Sequence, residues 1–140
     1  MQTFESITLP AKLENLGTFI KFVSDCAKKQ GINSRKTVEI EISAEEVLVN
    51  IFNYAYQDMD GDVEIICKSG DNNRFVIEIK DRGIPFNLLE LKEPETKLDI
   101  EERKIGGLGI FIVKKLMDDV QHRYEEGKNI VTLIVSKQAI

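Results

Sequence analysis

The chain has 140 residues and a formal net charge of −5, with 31% charged and 42% hydrophobic residues, a composition that suits one folded globular domain. No apolar run approaches the ~20 residues of a membrane-spanning helix, and Met1 to Pro10 lacks the basic start and apolar stretch of a signal peptide. Two cysteines (Cys26, Cys67) and one histidine (His122) point away from a disulfide framework, a zinc site or a Ser-His-Asp triad, and the acidic balance points away from nucleic acid as a direct partner.

Residues 3–9 alternate and include β-branched residues, so they predict a strand that Pro10 ends. Leu13, Leu16, Phe19, Ile20 and Val23 recur at helical spacing within Ala11 to Gln30, and Gly31 supplies a C-terminal stop. Asn33 or Ser34 then offers an N-cap for a second helix, carried through the apolar-rich stretch Val38 to Tyr56. Asp62 to Lys68 and Arg74 to Asp81 predict a hairpin turning at Ser-Gly-Asp-Asn-Asn. Residues 82–105 read as a long charged loop, and loops of that length in compact domains are usually functional or disordered. Gly106 to Val120 opens on glycines and continues as a helix; Gln121 to Glu126 and Asn129 to Ser136 form a second hairpin. The order β-α-α-β-β-loop-α-β-β predicts an α+β fold: a two-layer α/β sandwich, one mostly antiparallel sheet with helices on one face.

Three patterns carry chemistry. On the second helix, Val38, Ile42, Val49 and Phe52 lie on one side with Ile40, Ala44, Val47, Leu48, Ile51 and Ala55 beside them, which predicts a mostly buried helix. Glu39, Ser43, Glu46 and Asn50 step along a common stripe at three- and four-residue intervals. The stripe is either a solvated face or the wall of a cleft; in a cleft the carboxylate takes a proton and the amide oxygen one turn away suits Mg²⁺. Asp81-Arg82-Gly83 ends a strand, as an ordinary turn or as a carboxylate accepting from a ligand amine beside a glycine that admits close approach. Gly106-Gly107-Leu108-Gly109 opens a helix, as a hinge or as a phosphate cradle of backbone N–H groups. It is neither a Walker motif nor a dinucleotide fingerprint.

Glu46-x-x-x-Asn50, Asp81-x-Gly83, a long loop, then Gly107-x-Gly109 resembles, in order, the N, G1 and G2 boxes of the GHKL (histidine kinase-like) ATPase superfamily. Within it, the stretches 44–56, 81–87 and 106–120 are similar to those of the anti-sigma factor serine-protein kinases of the RsbW and SpoIIAB type. The resemblance covers nearly the whole chain and implies one Bergerat-type ATP-binding domain over 1–140, with an ATP lid at about 86–105. It implies ATP and Mg²⁺ as cofactors. Asp81 would bind the adenine amino group, Asn50 would coordinate Mg²⁺, and Glu46 would be the general base toward a protein serine. Gly83, Gly106, Gly107, Leu108 and Gly109 would line the nucleotide, and Lys104 or Arg103 would either reach phosphate from the lid or form a solvated basic pair.

Pro85 stands where a second G1 glycine is common, and Tyr54 where a basic residue or His often follows the N-box Asn. A Thr near the last strand often helps bind adenine; Ile130 aligns with it, and Thr132 lies on the same strand face. The partners implied are a sigma factor and an anti-anti-sigma protein carrying the acceptor serine, with partner switching between them, no direct nucleic acid, no membrane, a cytoplasmic location and a homodimer. A nucleotide-binding module without turnover and an ATP hydrolase domain of a larger assembly are the alternatives.

Overall fold

The computed structural model describes residues 4–56, 59–90 and 109–137. Strand β1 (Phe4–Pro10) pairs antiparallel with β2 (Asp62–Gly70), and β2 with β3 (Arg74–Asp81). β3 then pairs with the last strand of the chain, β5 (Lys128–Ser136), and β5 with β4 (Asp119–Glu125), again antiparallel. The sheet order is β1-β2-β3-β5-β4. Both predicted hairpins are present. Asn72 and Asn73 take positive φ in the first turn, and Glu126 and Gly127 (φ 54 and 78) form the second. Two successive positive φ values give a turn whose twist matches that of the flanking strands.

Among the described residues, three α-helices accompany the sheet: α1 (Leu16–Lys29), α2 (Ser34–Tyr54) and α3 (Gly109–Leu116). α1 starts later than its periodicity predicts because a 3-10 turn, Leu13–Asn15, intervenes. The Asn33 side chain caps α2 by accepting from Lys36 N at 2.8 Å. α3 stops short of the predicted Val120. Asp118 N donates to Ile134 O at 3.0 Å and Asp118 Oδ2 accepts from Ser136 N at 2.6 Å, so the chain is already joined to β5 there.

Alternate strand residues build the core. Val63, Ile65 and Cys67, Phe75, Ile77 and Ile79, and Val131, Leu133 and Val135 share it with Phe19 and Val23 of α1, Ile40, Val47 and Leu48 of α2, and Ile110 and Val113 of α3. All three helices therefore lie on one sheet face, giving the expected α+β two-layer sandwich. On the other face Glu78 is roofed by Lys68 (2.9 Å) and Arg123 (3.5 Å). Cys26 and Cys67 are buried free thiols. Among the described residues, no helix is long and apolar enough to cross a membrane.

One expectation about α2 is reversed. Val38 and Ile42 are 51% and 38% exposed, whereas Ser43 and Asn50 are 0% exposed. Ile40, Ala44, Val47 and Ile51 already supply the side chains that meet the sheet, and α3 packs beside α2. The polar stripe is turned inward.

Candidate functional site

The site grows from three junctions. The first is between α2 and α3. Lys36 donates to Leu116 O at 3.1 Å and pairs with Glu39 at 2.7 Å, so a cation satisfies the C-terminal end of α3, where the helix dipole favours it. At the other end of α3, a Cβ added to Gly109 would fall on the carboxylate of Glu46. Only a glycine lets the start of α3 approach that carboxylate so closely. Burial pushes the Glu46 carboxyl above the ordinary glutamate range, and the neighbouring charge of Glu45 adds to the rise. One turn on, Asn50 Nδ2 donates to Glu46 O at 2.8 Å, which turns its carbonyl oxygen to the opposite side of the carboxamide.

The second junction joins β3 to the end of α2. Asp81 is the last residue of β3 and is 4% exposed. Its Oδ1 accepts from Gly83 N at 2.9 Å. A Cβ on Gly83 would strike the Ala55 carbonyl, and Ile84 N donates to that same carbonyl at 3.0 Å. Gly83 thus lets the segment after β3 tuck beneath the C-terminal end of α2, which holds Asp81 and Asn50 around one small cavity.

The third junction is a residue that the sequence reading missed. β5 lies in register so that Asn129, not Ile130, is opposite Asp81. Asn129 Nδ2 donates to Asp81 Oδ1 at 3.0 Å and to Ile84 O at 2.8 Å; its Oδ1 accepts from Phe86 N at 3.0 Å. His122, on the edge strand β4, has its Nε2 3.2 Å from the same oxygen, so the lone histidine also supports the site. Burial raises the Asp81 pKa, while the bonds from Asn129 and Gly83 and the charge of His122 draw it back.

The structure does not bring Thr132 here. It lies opposite Glu78 and Gln121, on the sheet face turned away from Asp81, with its Oγ1 buried and without a partner among the described residues. A shift of one residue in register exchanges the faces of a whole strand, and the aligned Ile130 shares that outer face. Glu46, Asn50, Asp81, Gly83 and Gly109 all lie along these junctions. Arg103, Lys104, Gly106, Gly107, Leu108 and lid positions 91–105 lie outside the described residues.

Asn50, Ile51, Ala55, Asp81, Phe86, Leu88, Asn129 and Val131 line a cavity of about 10 Å³. A larger cavity of about 490 Å³ opens nearby, walled by Tyr56, Asp60, Asp62, Lys80, Arg82 and Lys128, with charges of both signs. Asp81 borders it, but neither Glu46 nor Asn50 does.

Residues 9–135 match the family model described as the histidine kinase-like ATPase domain. The chain belongs to this family. This histidine kinase-like ATPase domain is 28% identical over 137 residues to a protein named serine-protein kinase RsbW from Bacillus thuringiensis (strain Al Hakam), covering 94% of this chain and 85% of the relative. It is 28% identical over 131 residues to a protein of the same name from Listeria innocua serovar 6a, covering 90% and 83%. Among solved structures it resembles the Erythrobacter litoralis EL346 blue-light activated histidine kinase, with a TM-score of 0.58 at 15% identity over 87% of this chain and 42% of that one. It also resembles the Acinetobacter baumannii histidine kinase AdeS, with a TM-score of 0.52 at 12% identity over 98% and 68%. Those likenesses concern the fold.

The donor set fits a nucleotide with a hard cation. The buried carboxamide of Asn50 offers an oxygen of the kind Mg²⁺ takes, with the Glu46 carboxylate one turn away. The glycine against Glu46 marks a close approach of backbone to the same place.

Proposed function

We propose that this chain is an ATP- and Mg²⁺-dependent serine-protein kinase that phosphorylates an anti-anti-sigma protein and sequesters a sigma factor. The observation that carries the reading is the inward stripe of α2: Asn50 is 0% exposed, and Glu46 lies against the first residue of α3. A solvated face would leave both in water. The names of the relatives support the same reading.

Bound Mg²⁺–ATP supplies the phosphoryl group: a bond from the γ-phosphorus to the serine Oγ forms, the bond to the bridging oxygen breaks, and ADP leaves. Asn50 would hold the cation. Asp81 accepts from the base amino group through Oδ2, since Asn129 and Gly83 donate to Oδ1. Glu46 takes the proton of the acceptor hydroxyl, and its raised pKa makes it a stronger base than an exposed glutamate. Gly83 and Gly109 would keep backbone close to the nucleotide, and the family resemblance assigns phosphate contacts to Gly106, Gly107, Leu108 and Lys104, which lie outside the described residues. Phosphoryl transfer asks for positioning and charge neutralisation, and these groups supply both. Partner switching follows: the phosphorylated antagonist leaves and the kinase, as a cytoplasmic homodimer, holds sigma factor.

The test is affinity capture from native lysate with and without ATP, followed by transfer of labelled phosphate to the captured partner. Label on a serine, lost in Glu46→Gln, supports the reading. Nucleotide binding without transfer makes the chain a nucleotide-gated binding module.

A further inference from the structure

The base-side cavity is closed by the chain's own segment. Its volume of about 10 Å³ accommodates roughly one water molecule and no purine. Phe86 packs against Tyr54 with ring centroids 5.2 Å apart, and Leu88, at 2% exposure, lines the cavity beside Asp81. This strap, Ile84 to Glu90, is fastened at three places. Ile84 N donates to Ala55 O at 3.0 Å. Lys114 of α3 donates to Leu89 O at 2.9 Å. Between them, Asn129 accepts from Phe86 N and donates to Ile84 O.

Asn129 differs from the other two fastenings because it also holds Asp81. A carboxamide has two donor hydrogens and two acceptor sites. Here Nδ2 is shared between Asp81 Oδ1 and Ile84 O, and Oδ1 between Phe86 N and His122 Nε2. The residue is 3% exposed, so water does not replace a broken bond without opening the segment. Lifting this segment away from Asp81 breaks the bond from Phe86 N to Asn129 Oδ1.

We propose that Asn129 is a positioning residue that latches the Ile84–Phe86 segment over the base site, so that nucleotide enters only the fraction of molecules in which the latch is open. The inference rests on the nucleotide reading given above. A binding-competent state that is only partly populated lowers the apparent association rate constant and the affinity by that fraction. Asn129→Ala removes the two hydrogen bonds that fasten the segment, to Ile84 O and Phe86 N, together with those to Asp81 and His122. Phe86→Ala removes the plug and leaves the contacts of Asp81 untouched.

The test is stopped-flow association of a fluorescent N-methylanthraniloyl-ATP with the full chain, with circular dichroism confirming the fold of each variant. Asn129→Ala is expected to raise the apparent association rate constant about tenfold or more, the weight of the two hydrogen bonds that fasten the segment, and Phe86→Ala, which keeps the backbone N–H and loses the ring packing on Tyr54, about three- to tenfold. A residue that served only to orient Asp81 would leave association unchanged and speed dissociation alone. Association within about twofold of the parent in both variants overturns the latch, and a faster Phe86→Ala beside an unchanged Asn129→Ala overturns the part given to Asn129. If the parent protein binds no nucleotide at all, the nucleotide reading fails and the latch fails with it.

Discussion

Replacing Asp81 by Asn separates recognition from folding. The two donors to Asp81 both meet Oδ1, Gly83 N at 2.9 Å and Asn129 Nδ2 at 3.0 Å. An asparagine keeps both by placing its carbonyl oxygen there, which puts its NH₂ where Oδ2 was. A donor then faces the base amino group, itself a donor. The charge-assisted bond is lost, at about 1.5–3 kcal/mol, and a buried donor is left unmet, at about 1–3 kcal/mol. A loss of about 3 kcal/mol corresponds to roughly a 100-fold weaker Kd. Stability moves the other way. Burial raises the Asp81 pKa, so between the ordinary aspartate range and the raised value the folded protein binds more protons than the unfolded chain, and rising pH costs stability. Asn carries no such penalty at neutral pH, so Tm holds or rises. Calorimetric titration with ATP and a thermal melt check the two halves. Affinity within about threefold of the parent, with the fold intact, would refute the assignment of Asp81 to the base.

Other expectations follow from the same geometry. Glu46→Gln lowers the transfer rate about 10²–10⁴-fold while calorimetry finds nucleotide affinity little changed. The acid limb of the kcat–pH profile lies above the ordinary glutamate range, because activity needs the ionised form of Glu46 and its pKa is raised; Glu45→Gln removes a charge that raises it and moves the limb to lower pH. Gly109→Ala places a Cβ on the Glu46 carboxylate and displaces it, so kcat falls by about 10²-fold while Tm changes little. Gly83→Ala meets the rigid Ala55 carbonyl instead, so it costs about 1–3 kcal/mol of stability, visible as several degrees of Tm in a thermal melt.

The fold was legible because the sheet and helix periods are clean. β2 alternates in burial through Cys67 as its sequence alternates, β3 does so except where Glu78 is buried under its ion pairs, and the Asn33 cap and the two hairpin turns stand where residue chemistry puts them. The α2 stripe was legible as a pattern but not in its direction. A helix with apolar residues around most of its circumference does not declare which side meets a neighbour. Packing decided it: Val38 and Ile42 went outward once α3 packed beside α2, with Gly109 against Glu46. Asn129 was missed for a different reason. Nothing within 128–136 states which residue stands opposite Asp81, because β3 and β5 are far apart in the chain and their register is a tertiary property. The available signal was the two-residue Glu126-Gly127 turn, which fixes the β4–β5 register and places Asn129 and His122 on the same face.

The central claim is that Glu46, buried beside Gly109, acts on a nucleotide held through Asp81. Its most direct test is a single-turnover measurement, at saturating Mg²⁺–ATP, of phosphate appearing on the serine of the captured antagonist, parent against Glu46→Gln. Transfer by the parent is expected, with a loss of about 10²-fold or more in the variant and nucleotide occupancy equal in both. Equal transfer rates in the two proteins, or saturating nucleotide with no transfer by the parent, would contradict it.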